Sequence, residues 1–155
     1  MAIYMKLGTI TGSVTAAGYQ NWIKLETFRW GFSANTSFSQ AGAEVTVREV
    51  VVTMRADKCS PLIVNAGVSR TVLSPVQIKF TTTGAGSAGV ILFLSYELTG
   101  SIITNYAVDG PAEGHPVESL TLNFTKITET FNPRDAGLTG SPSTVTYDVK
   151  AATSS

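Results

Sequence analysis

Charge is scarce in this sequence. Eleven Lys and Arg balance eleven Asp and Glu, so the formal net charge is zero, and only 14% of the 155 residues are charged. An ordinary soluble domain carries roughly 25%. A neutral chain has no global electrostatic reason to bind nucleic acid or an anionic membrane. There is one cysteine, Cys59, which excludes an internal disulfide framework and a cysteine-rich zinc site. There is one histidine, His115. Long apolar runs are absent too: the longest block, Val90 to Leu94, has the length of a strand and falls far short of the roughly 20 residues that span a bilayer. Met1 to Gly8 alternates and is interrupted by Lys6, unlike the apolar core of a leader. The expectation is a protein made in the cytoplasm without a signal peptide, exported, if at all, by dedicated machinery.

Hydroxyls take the place of the missing charge, with 21 Thr and 15 Ser. The apolar content of 43% is too high for disorder, and the length suits a single domain over residues 1–155. A small domain with so little charge is poorly equipped to stay soluble alone. Much of its surface is therefore expected to be covered by other copies.

Short β-branched runs separated by turn residues dominate the chain. Strands are predicted over Ala2–Thr11, Trp22–Ser33, Glu44–Met54, Val72–Thr83, Gly89–Leu98, Ser101–Ala107, Glu118–Phe131 and Ser143–Ala151. In the second of these the parity changes: Ile23 and Leu25 lie on one face, Phe28, Trp30 and Phe32 on the other, which a bulge near Glu26–Thr27 reconciles. Residues Ala34–Ala43 read as a long loop. One segment is helical: Ser60 precedes Pro61 at the first helical position, and Gly67 serves as a stop, giving a short helix over Pro61–Ala66. The predicted class is all-β, a barrel-like pair of antiparallel sheets with one short α-helix at the side. The terminal AATSS is expected to fray.

Motifs for chemistry are weak. Gly84-Ala-Gly-Ser-Ala-Gly89 has the dinucleotide spacing, but a strand follows it where the fingerprint needs a helix, so it reads as a hairpin loop. His115 sits in Gly-His-Pro with no nucleophile elbow, and Cys59 has no His or second Cys near it. No acidic loop has calcium-site spacing. No catalytic, cofactor or metal residue is assigned.

Three segments carry a family resemblance. Pro116-Val-Glu-Ser-Leu-Thr-Leu-Asn-Phe-Thr-Lys-Ile127, with Phe131-Asn-Pro133, is similar to a PxExxxLxFxKV…YxP strand. Asp57-Lys-Cys-Ser-Pro-Leu62, with Ala66, is similar to a DxxSPxLxxA helix start. Thr27-Phe-Arg-Trp-Gly31 is similar to an xWxWG strand. Together, over about Ala2 to Lys150, they resemble Hcp, the haemolysin-coregulated protein of bacterial type VI secretion. Phe28 and Tyr147 stand where that family usually carries Trp.

The resemblance implies a tube subunit and no enzyme. Six copies form a ring, and rings stack into an inner tube. The implied partners are further copies of the chain, the VgrG spike, the contractile sheath and baseplate, and exported effectors, with no nucleic acid, membrane insertion or cofactor. The loop Asn35, Thr36, Ser37, Phe38, Ser39, Gln40 to Glu44 is the expected stacking element. Arg29 alternates with Phe28 and Trp30, and with Gln77 and Lys79 it is expected to face a polar lumen that touches cargo. The rival readings are the tail-tube protein of a phage or other contractile particle, a monomeric ligand-binding β-barrel, and an unrecognised hydrolase.

Overall fold

The computed structural model describes residues 1–34, 45–84, 89–133 and 140–149, and the backbone of 153–154. Its strands are β1 (Ala2–Leu7), β2 (Ile23–Leu25), β3 (Thr27–Arg29), β4 (Phe32–Ala34), β5 (Val45–Val47), β6 (Val50–Arg55), β7 (Val76–Thr83), β8 (Val90–Thr99), β9 (Ile102–Asp109), β10 (Val117–Asn123), β11 (Lys126–Phe131), β12 (Ser143–Asp148) and β13 (Thr153–Ser154). The helix α1 (Ser60–Val68) lies between β6 and β7.

The pairings make a seven-stranded sheet, β13-β12-β11-β8-β7-β1-β2, a four-stranded sheet, β3-β6-β10-β9, and a separate hairpin, β4-β5. Every pairing is antiparallel. The expected pair of antiparallel sheets with one short helix is what the chain forms, and neither sheet closes into a barrel.

Alternation explains the layers. On the inner face of the large sheet, register aligns Ile127, Leu98, Val76 and Leu7 in one row, and Tyr96, Ile78, Met5 and Ile23 in the next. From the small sheet, Val50, Val52, Met54, Leu120 and Leu122 are fully buried against them. The other face of the large sheet is where the hydroxyls go. One row reads Thr144, Thr130, Ser95, Lys79, Tyr4, Lys24, and another Thr146, Thr128, Glu97, Gln77, Lys6. Thr128 and Thr146 share a hydroxyl hydrogen bond at 3.0 Å, and Thr130 and Thr144 one at 3.2 Å. Cross-strand pairs of this kind stabilise a sheet without charge.

Two predicted strands turn out to be corners. The parity change near Glu26 marks more than a bulge: β2 ends at Leu25 in the large sheet and β3 begins at Thr27 in the small one. The predicted Glu118–Phe131 strand divides likewise into β10 in the small sheet and β11 in the large one. The turn at Thr125 is held by its amide, which donates to the Thr99 carbonyl at 2.9 Å, and by its carbonyl, which accepts from Val149 at 2.8 Å. Glu44–Met54 is broken between Val47 and Val50, and Ala2–Thr11 ends at Leu7, after which the Ile10 amide donates back to the Leu7 carbonyl at 3.0 Å.

The helix is longer than predicted at both ends, and Gly67 lies inside it. It stops at Val68, with Ser69 as its C-terminal cap residue, and the next residue, Arg70, takes a left-handed φ of 53°. Ser60 is not its cap: Cys59 occupies that position and no side chain caps the helix. At the C-terminus, Thr153 and Ser154 pair with Asp148 and Tyr147, where fraying was expected.

Candidate functional site

The three motif segments converge on the core from three directions. Asp57 leads into α1. Its carboxylate accepts from the Ser13 hydroxyl at 2.5 Å, the Ser13 amide at 3.0 Å and the Lys58 amide at 2.6 Å. Partial burial pushes this carboxyl up, but those hydrogen bonds outweigh it and hold it below its usual 3.8. The bonds tie the Gly12–Trp22 turn to the helix start, 44 residues away. Gly12 is required there, because a Cβ would stand 2.4 Å from the Trp22 carbonyl oxygen.

Ser60 donates to the Glu118 carboxylate at 2.9 Å and accepts from the Asp57 amide at 3.0 Å. The Tyr106 hydroxyl donates to the other Glu118 oxygen at 2.6 Å. Glu118 is 1% exposed, so these two hydroxyls are what make its burial tolerable. Desolvation and then the bond to Glu118 push the Tyr106 phenol up to about 12. Neighbouring Cys59 is fully buried, and desolvation, followed by the Asp57 charge, raises its thiol to about 11. It is a packed thiol, not a nucleophile.

The third segment supplies aromatics. Phe28 on β3 stacks on Tyr96 at 4.7 Å and meets Phe80 edge-on at 5.4 Å, joining the sheets. Trp30 meets Tyr96 at 6.0 Å. Desolvation and then the Glu129 carboxylate, which accepts its hydrogen bond, push the Tyr96 phenol up to about 12. Beyond them lies an apolar cleft of about 260 Å3 between the β4-β5 hairpin and β11-β12, lined by Trp30, Phe32, Val45, Val47, Val145 and Tyr147 among others. The Trp30 indole N–H is buried there without an acceptor.

Arg29 is exposed on the outer face of the small sheet, aligned with Val51, Thr121 and Asn105. A shallow depression of about 280 Å3 gathers Arg29, Arg48 and Glu49. Gln77 and Lys79 lie elsewhere. They sit on the outer face of the large sheet, where Gln77 reaches Glu97 at 3.4 Å and the Lys79 ammonium lies 5.1 Å from the centre of the Trp22 ring. The core separates them from Arg29, so the three do not share one surface within a subunit. Asn35, Thr36, Ser37, Phe38, Ser39, Gln40 and Glu44 lie outside the described residues.

The chemistry-bearing residues do not gather. His115 is exposed in the β9–β10 loop. Gly84 and Gly89 close the connection between β7 and β8, the Gly84 amide donating to the Gly89 carbonyl at 2.8 Å; the residues between them lie outside the described ones. Among the described residues, no group of three or more His, Cys, Asp or Glu could hold a metal ion, and no helix is long and apolar enough to cross a membrane.

Sequence reasoning missed the surfaces around α1 and Phe32. Within the nine residues of α1, SPLIVNAGV, none is charged, yet Leu62 and Val68 are exposed. That absence was a readable signal. A groove of about 260 Å3 runs between α1 and β9, lined by Val64, Gly67, Val68, Ile103 and Tyr106 among others.

These features define an all-antiparallel two-sheet β protein whose four-stranded sheet has, among the described residues, no partner beyond β3 or β9. Residues 4–131 match the sequence family described as "Type VI secretion system effector, Hcp", and the chain belongs to that family. The fold agrees. Hcp1 from Salmonella typhimurium superposes with a TM-score of 0.82 at 20% identity, over 99% of this chain and 98% of that one. A type VI secretion system effector from Yersinia pestis gives 0.75 at 22% identity, over 95% and 99%. A structure described only as a type six secretion system protein gives 0.87 at 19% identity, over 99% of both chains. No curated protein sequence matches the chain.

Proposed function

We propose that the chain is the structural subunit of a type VI inner tube: copies close into hexameric rings, rings stack, and the tube carries effectors out of the cytoplasm in which the subunit is made. The spike, sheath and baseplate are its other partners. One topological observation carries this reading. In the small sheet β3 pairs only with β6 and β9 only with β10, among the described residues, so both lateral edges are open. The sheet has four antiparallel strands, so its two edge strands run in opposite directions. When identical copies repeat around an axis, β9 of one copy therefore meets β3 of the next in the same antiparallel sense used inside the subunit. The large sheet has seven strands, and its edges run in the same direction. Repeating it would demand a change to parallel pairing.

Open edges are an aggregation liability that ring closure removes. The outer face of the small sheet then lines the bore. It is mostly uncharged, with Thr27, Thr53, Ser119 and Ala107 in one row, and Arg29 supplies a local cargo contact. Gln77 and Lys79 are assigned in this arrangement to the outside of the ring. Asn35 to Glu44, which follow β4 and precede β5 in the sequence, are assigned the contact with the next ring.

Sedimentation followed by negative-stain imaging tests the reading. Six-membered rings with an open centre are expected. A monomer at every accessible concentration overturns it.

A further inference from the structure

We propose that Phe32 of one copy inserts into the groove between α1 and β9 of a second copy. This rests on the ring reading above and names the side-chain contact that accompanies the β9-to-β3 edge pairing.

Two uncharged apolar features stand at opposite lateral edges of one subunit. At the β9 edge is the groove, walled by Val64, Gly67 and Val68 from α1 and by Ile103, Thr104, Asn105 and Tyr106 from β9. Val68 is 77% exposed and Leu62 51%. A helix face that remains in water is normally polar, and α1 has no charged residue with which to make one. At the other edge, three residues beyond the end of β3, is Phe32, 63% exposed. Of the three aromatic residues along this stretch, Phe28, Trp30 and Phe32, only Phe32 is exposed.

Both features lie on the same side of the small sheet. Tyr106 aligns with core residue Leu120, and Ile103 with Leu122, so the groove is on the inward side of β9. Phe32 lines the cleft with Trp30 and Tyr147, on the side facing the large sheet. Repetition around an axis keeps inward sides together, so pairing β3 with β9 of the next copy brings a protruding ring beside a groove. The contact is heterologous, knob on one edge and hole on the other, as a closed ring requires. The groove lining has no charged residue, and Glu129, which shares the cleft with Phe32, accepts a hydrogen bond from Tyr96, so the contact itself is apolar against apolar.

Cysteine cross-linking tests this. Phe32→Cys and Val68→Cys replace exposed side chains, and native Cys59 is fully buried, so it does not compete. The double variant, oxidised and run without reductant, is expected to give a ladder of covalently linked copies. Each single variant stops at a dimer or below. Imaging of the same sample distinguishes the failures: intact rings without a ladder overturn the Phe32 contact alone, whereas monomers throughout overturn the ring and the contact together. As a second readout, Val68→Asp is expected to raise the concentration at which rings dissociate at least tenfold. An unchanged value overturns the proposal.

Discussion

The Ser60 hydroxyl donates to Glu118 across 2.9 Å, and in doing so joins two sequence motifs that are 58 residues apart. One motif starts the helix, and the other runs along β10, the neighbour of the strand β9 against which the helix packs. With Tyr106 as second donor, the buried carboxylate ties α1 and β9 to β10, and these elements form the flank proposed to meet a second copy. Four expectations follow from this and neighbouring features.

Removing either hydroxyl leaves a buried carboxylate under-satisfied. Ser60→Ala and Tyr106→Phe should each lower unfolding stability by about 1–3 kcal/mol. The double variant should depart from additivity, since both serve one group. Urea unfolding at a fixed subunit concentration measures this, and no loss from either variant contradicts the account.

Asp57 should make stability pH-dependent in acid. Its folded pKa lies below the usual 3.8, so its contribution is complete above about pH 4 and is lost as pH falls through the lower folded value. The advantage of the native chain over Asp57→Asn should shrink across that interval. Ser13→Ala, which removes one hydrogen bond, should move the Asp57 pKa back up. NMR titration of the Asp57 carboxyl reads the shift directly, and an unmoved value refutes the assignment.

Arg29→Ser should change stability by less than about 0.5 kcal/mol, because the side chain is exposed and outside the core. Its effect is expected on cargo: effectors co-purifying with rings should fall in yield. Unchanged retention of every effector argues against a luminal role.

Replacing residues 35–43 with a short Gly-Ser linker should leave rings intact and weaken tubes. Electron microscopy showing unchanged tubes would sink the stacking role of that loop.

Much of the fold was legible in alternation. Ile3, Met5 and Leu7, or Leu120 and Leu122, announce strands with one buried face, and all five are buried. Corners were harder to read. The parity change from Leu25 to Phe28 was visible but fits a bulge and a change of sheet equally well, since both re-aim the side chains. The same flip separates Phe124 from Ile127, where β10 gives way to β11. Which sheet a strand joins depends on partners remote in sequence, and parity carries no information about them. The helix start shows a similar limit. Ser60 before Pro61 satisfies the local rule for a cap, yet a buried Glu118 claims the hydroxyl. Arg29, Gln77 and Lys79 each fell on a polar strand face, but which polar face is a property of the two-sheet packing.

The width of the small sheet sets a length scale for the proposed conduit. Strands about 4.8 Å apart give each four-stranded segment about 19 Å of circumference. Six segments make about 115 Å, a backbone-to-backbone bore of about 37 Å before side chains are counted. A domain of 100 residues has a radius of gyration of about 13 Å. A proposed bore of that width would admit an extended chain or a small folded domain and would exclude larger folded ones.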